Sequence, residues 1–214
     1  MIISHRHRYI FIAVPRVATR ALRQALTMQL DAMDWQQQNL FAEYRLPVPD
    51  LAAEEHGHLA VRDIRPRLPD DLWSAYLKCA FVRDPFERFV DTFLSLDKGE
   101  MPSPAEARPR MKRELATERF RRRRLTLPQS HFLIDEEGAL ATDFIGRFET
   151  LQPSWESLCG RLGLEPMPLE RRRVPERRDW LRYYDDELAE MVADYYRDDL
   201  ANFGYPDRPE PPHR

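Results

Sequence analysis

The chain has 214 residues, 43% of them hydrophobic and 32% charged, with a formal net charge of −3. This length suits one medium domain with a buried core, and the hydrophobic fraction argues against disorder. The near-neutral charge lacks the basic footprint of a nucleic-acid-binding domain.

The N-terminus has a basic start and a short apolar run, Tyr9 to Val14. With no small-residue cleavage site, and with Pro15-Arg16 closing the run, it reads as a buried strand rather than a signal peptide. From Thr19 the pattern turns helical, with Leu22, Ala25, Leu26, Leu30 and Met33 on one face. Residues 34–58 are mixed, and Pro47 and Pro49 mark loop. A short helix is expected over Ala60 to Arg65, before Pro66. Tyr76 to Val82 is a second buried strand. It runs into Arg83-Asp84-Pro85, where Asp84 is the expected N-cap and Pro85 the first helical residue. That helix turns Phe86, Phe89, Val90 and Phe93 inward and ends near Lys98-Gly99.

Residues 99–127 begin proline-rich and end arginine-rich. They read either as a solvated helix with a flexible lead-in or as a basic lip over an anionic ligand. Phe132 to Ile134 and Asp143 to Phe148 flank a turn signal, Asp135 to Gly138, and are expected to pair as a hairpin. A helix after Pro153 buries Trp155, Leu158 and Leu162. A last helix spans roughly Asp186 to Phe203, and the proline-rich tail from Pro206 is expected to be mobile. Two strand–turn–helix units joined by long crossovers predict an α/β fold. The expectation is a parallel sheet flanked by helices, in a single domain over residues 1–205 with a tail at 206–214. No stretch approaches the ~20 apolar residues of a membrane span, and the predicted location is cytoplasmic. Cys79 and Cys159 sit in apolar runs that suit buried thiols and form neither a disulfide framework nor a metal site.

Three constellations could carry chemistry. The loop Pro15-Arg16-Val17-Ala18-Thr19-Arg20 joins a strand to a helix start, whose unpaired amides and dipole favour an anion. The same loop also reads as an ordinary structural turn. No Gly-x-x-x-x-Gly-Lys-Ser/Thr is present, which argues against an ordinary P-loop nucleotidase. In the second turn, Arg83 and Arg88 could grip a phosphate together, or Arg88 could pair with Asp84 or Asp91. Third, His56-Gly57-His58 precedes a helical stretch. A histidine there could accept a hydroxyl proton near neutral pH, or simply face solvent or cap the helix. No third ligand accompanies the pair, so no metal is expected.

FVRDPFERFVDTF, residues 81–93, resembles the 3′-phosphate motif of the sulfotransferase superfamily, closest to its carbohydrate-type (family 2) members. The first strand and its loop resemble that family's 5′-phosphosulfate motif. PQSHFLIDEEG (128–138), DFIGRFETLQPSW (143–155) and DYYRDDLANFGY (194–205) follow in the family's order, so the resemblance covers about residues 8 to 205. It implies a P-loop NTPase-like fold and transfer of a sulfuryl group from 3′-phosphoadenosine 5′-phosphosulfate (PAPS) to a hydroxyl. The implied acceptor is a carbohydrate-like glycan, and no metal is required.

Carried over, the resemblance implies that Arg16, Val17, Ala18, Thr19 and Arg20 hold the 5′-phosphosulfate, and that Arg83 holds the 3′-phosphate. It makes His58 the catalytic base, with His56 assisting the acceptor and Arg16 stabilising the leaving phosphate. Arg16 stands where the family usually has Lys, and Asp91 where it usually has Ser. A carboxylate about 4 Å from a phosphate is repelled by roughly 1–4 kcal/mol. The expectation is therefore that Asp91 turns towards Arg88, that Thr92 substitutes for it, or that donor binding is weakened. The alternative function is a catalytically impaired sulfotransferase-fold protein that binds a nucleotide or a glycan. Acceptor contacts are expected within residues 34–56 and 99–130, and the sequence leaves oligomeric state open.

Overall fold

The computed structural model of the chain describes residues 1–36, 48–52, 57–96, 102–169 and 179–211. Among the described residues five strands form one sheet: β1 (Ile2–Ser4), β2 (Tyr9–Ile12), β3 (Trp35–Gln36), β4 (Leu77–Val82) and β5 (Phe144–Arg147). Their order is β3-β1-β2-β4-β5. β2, β4 and β5 run parallel, whereas β1 pairs antiparallel with both β2 and β3. The sheet is therefore mixed, and the expected parallel arrangement holds for three of its strands.

Chain contacts divide the molecule into two compact units, Met1–Val82 with Gln129–Glu170, and Arg83–Pro128 with Arg171–Arg214. The first unit contains the sheet. Every residue of β2 is buried, which is why the run is uninterruptedly apolar: a strand covered on both faces has no polar side to show. The sequence reading missed β1. It is three residues long, is followed by the polar residues His5 to Arg8, and becomes a strand only by pairing with β2. Asp34 fastens that hairpin, accepting from the Ser4 hydroxyl at 2.9 Å and from the His5 amide at 2.6 Å.

Helix α1 (Thr19–Thr27) follows β2 and buries Leu22, Ala25 and Leu26 as the periodicity predicts. It stops before Leu30, and Met33 lies exposed beyond it. After α2 (Pro49–Ala52), α3 (Val61–Ile64) continues into a 3-10 turn at Arg65–Arg67, and α4 (Asp70–Ala75) leads into β4.

The predicted hairpin around Asp135 to Gly138 does not form. Ser130–Leu133 is a short helix, and the turn closes only an isolated bridge between Ile134 and Leu140. Phe144–Arg147 becomes β5 on the open edge of β4 instead, with Phe81 opposite Gly146. A hairpin could offer one bridge, whereas β4 offers a four-residue parallel ladder and burial for Phe144. A helix over Leu151–Leu162 packs on β5 and buries Trp155, Leu158 and Leu162.

The second unit is helical: α5 (Pro85–Leu96), α6 (Pro104–Leu115), α7 (Glu118–Arg121), then, after α8 (Ser130–Leu133) and α9 (Leu151–Leu162) of the first unit, α10 (Asp186–Tyr195) and α11 (Arg197–Phe203). Phe86, Phe89, Val90 and Phe93 of α5 form one core with Met111 of α6, Leu188 and Val192 of α10, and Tyr196. The proline-rich lead-in to α6 is an ordered helix start. Ser103 accepts from the Glu106 amide and Glu106 reaches back to the Ser103 amide at 2.9 Å, a capping box with Pro104 at its first position. The single C-terminal helix expected from the sequence is two helices that break at Tyr196. Among the described residues no helix is long and apolar enough to cross a membrane.

Candidate active site

In the first unit the loop between β2 and α1 has the physical character of an anion site. Arg16 and Ala18 both adopt positive φ, 69° and 59°, a region that costs a non-glycine residue about 1–3 kcal/mol. The N-cap Ala18 makes no side-chain cap bond, and the first turn of α1 contains no acidic residue. The first amides of α1 thus lack an intrahelical acceptor, and no acidic residue of the helix's own first turn competes for them. Val17 is buried and anchors the loop, Arg16 is half-buried and Arg20 is exposed. Thr19 bonds within its own loop. It is 7% exposed, and its Oγ1 donates to the Val14 carbonyl at 2.5 Å. Its hydroxyl proton therefore ties the loop closed.

His58 is brought to this same loop. Its Nδ1 lies 2.6 Å from the carbonyl oxygen of Ala13. A carbonyl only accepts, so Nδ1 carries the proton and the lone pair of a neutral imidazole lies on Nε2. The approach to His58 is fixed one residue earlier, where Arg23 of α1 donates to the Gly57 carbonyl at 2.7 Å. Burial lowers the Arg23 guanidinium to about 10, so it remains charged at neutral pH. Gly57 takes a positive φ of 61°, which a glycine adopts without steric cost. His56 lies outside the described residues. His131, on α8, offers its backbone carbonyl to Arg62.

In the second unit Asp84 caps α5 as predicted, accepting from the amides of Phe86 at 2.7 Å and Glu87 at 3.0 Å. Arg83, just before this cap, is held between two carboxylates. One guanidinium nitrogen is 3.0 Å from Glu87 and another is 3.2 Å from Asp91. Asp91 therefore faces Arg83. Arg88 is fully buried and donates to the carbonyls of Leu125 and Leu127 at 3.3 and 2.9 Å, with its guanidinium facing the Tyr196 ring. A shared grip of Arg83 and Arg88 on one phosphate is not the arrangement found. Thr92 is 1% exposed and sits among the buried residues of α5.

The sequence reading missed Glu87. Its spacing of four from Arg83 was a usable signal. The Ala13 carbonyl had no sequence signal at all. Both cysteines are buried thiols. Burial pushes Cys79 far above the ordinary thiol range and Cys159 up to about 11, so neither is a nucleophile at neutral pH. Among the described residues no cluster of His, Cys, Asp and Glu could hold a metal ion.

The fold and these loops define an α/β protein whose parallel strands β2 and β4 lead into helix starts rich in arginine, with an imidazole at the first. The chain belongs to the sulfotransferase family, whose model matches residues 1–206. Sulfuryl transfer is the chemistry of that family. Neither the curated proteins nor the solved structures contain a match to this chain.

Proposed function

We propose that the protein transfers a sulfuryl group from PAPS to a hydroxyl of a carbohydrate-like acceptor. One observation carries the proposal: the Nδ1–H bond from His58 to Ala13 puts a candidate base beside the anion-accepting loop that follows β2. When bound, the donor supplies the sulfuryl group and a phosphate leaving group.

The chain's own residues then have separable roles. His58 takes the acceptor's hydroxyl proton at Nε2 while its Nδ1–H stays on Ala13. The amides opening α1 and the Arg16 guanidinium face the charge that grows on the leaving phosphate. Val17, Ala18 and Arg20 complete this loop, and Thr19 holds it closed through Val14. Arg83 is assigned to the 3′-phosphate of the donor, and His56 to the acceptor.

The experiment is transfer from labelled PAPS to a panel of hydroxylated glycans, together with calorimetry of adenosine 3′,5′-bisphosphate. Transfer to a glycan hydroxyl, with binding of the bisphosphate, is expected. Binding without transfer to any hydroxyl would support the second reading, a sulfotransferase-fold protein that holds a nucleotide or glycan without chemistry. The carboxylates on Arg83 are what favour that second reading.

A further inference from the structure

The two helix starts differ in what they leave for an anion. At α1 there is no acidic residue in the first turn and no side-chain cap. At α5 the corresponding amides are already taken, those of Phe86 and Glu87 by the Asp84 carboxylate. The nearby guanidinium of Arg83 is itself engaged by Glu87 and Asp91. Arg83 brings one positive charge and its two partners bring two negative charges. A phosphate arriving here therefore finds the guanidinium already engaged by two carboxylates.

Exposure separates the two carboxylates. The side chain of Glu87 is 16% exposed and that of Asp91 is 35% exposed, against 9% for Arg83. Glu87 and Asp91 follow Arg83 by four and eight residues, so they stack one turn apart along α5. Glu87 is the inner partner and Asp91 the outer. Asp91 is the group an incoming anion must displace first.

We infer that Asp91, seconded by Glu87, sets the donor selectivity of this protein by competing with the 3′-phosphate for Arg83. The inference rests on the reading of Arg83 as the 3′-phosphate residue. Its consequence is a substrate class: donors that lack the 3′-phosphate, adenosine 5′-phosphosulfate among them, compete for the site far better than an uncontested arginine would allow. Asp91 is a specificity-determining residue that acts through Arg83.

The test uses the full chain and two probes, adenosine 3′,5′-bisphosphate and adenosine 5′-monophosphate, with affinities measured by calorimetry. The readout is the ratio of the two affinities, which a loss of fold or a general weakening of the site does not move. Asp91→Asn keeps the side chain's shape and removes its charge. It is expected to raise the preference for the bisphosphate by about tenfold. Glu87→Gln is expected to move it in the same direction.

A ratio that stays constant or falls in both variants, while both nucleotides still bind, overturns the inference and leaves the donor reading standing. Failure of wild type and both variants to bind either nucleotide, with cooperative thermal melts retained, removes the donor reading and this inference with it.

Discussion

Replacing His58 by asparagine separates the two jobs assigned to its ring. The Nδ1–H of His58 donates to the Ala13 carbonyl at 2.6 Å, and the amide nitrogen of asparagine can occupy the place of Nδ1 and donate the same bond. What asparagine lacks is the lone pair of Nε2. A positioned general base contributes about 10²- to 10⁴-fold, which corresponds to about 2.7–5.4 kcal/mol of transition-state stabilisation. His58→Asn is therefore expected to slow transfer by that factor with an unchanged unfolding midpoint. His58→Ala loses the base as well, and it also leaves the Ala13 carbonyl without this donor, at about 1–3 kcal/mol of stability. Single-turnover transfer from labelled PAPS to a glycan acceptor, with urea unfolding of each variant, measures both effects. If His58→Asn keeps more than about a tenth of the wild-type rate, the ring is a strut for the loop and the base lies elsewhere.

Three further outcomes follow from packing and charge. A Cβ on Gly146 would lie 2.4–2.8 Å from the Phe81 ring on the paired strand, so Gly146→Ala is expected to cost about 1–3 kcal/mol by denaturant unfolding, with part of the loss recovered when Phe81→Leu is added. Arg88→Ala removes a donor from two buried carbonyls, and its expected cost of about 3 kcal/mol or more would lower the melting temperature by about 6–12 °C. Equal stability would show that Arg88 is not the structural residue the geometry makes it. Asp185 caps α10, and its bond from the Leu188 amide, aided by Lys112, holds its carboxyl below the ordinary 3.8. A depressed carboxyl stabilises the folded state above its unfolded pKa and stops doing so as the pH falls through the folded one. Asp185→Ala should therefore cost about 0.5–2 kcal/mol at neutral pH. In acid titrations that gap should close below pH 3.8.

The parts of the fold that were legible in the sequence are those whose cause lies within a few residues. Asp84 next to Pro85 announces a helix start because the cap and its amides are neighbours in the chain. The four aromatic and aliphatic residues of α5 announce its buried face by their spacing alone. β1 and β5 were not legible in the same way. Ile2–Ser4 is too short to show a period, and it is a strand because β2 and β3 flank it. The segment around β5 carried a sound local turn signal, yet the ladder on β4 outweighed it. Strand partners are chosen by burial and by hydrogen bonds from distant parts of the chain, and a local pattern does not encode that competition.

The candidate site divides along the same line. Arg16, Thr19 and Arg83 could be named because their motifs resemble those of the sulfotransferase family, whereas residue type alone also allowed an ordinary structural turn. How each is engaged could not be named, because engagement is set by geometry across the helix start. Counting i, i+3 offers Asp91 to Arg88, whereas Asp91 lies eight residues beyond Arg83, outside the reach of that counting. In the folded chain Arg88 turns into the core, to the carbonyls of Leu125 and Leu127. Arg83 then lies over the face of α5 that Glu87 and Asp91 share, and it collects both carboxylates. The burial of one arginine thus decides the electrostatics of the other.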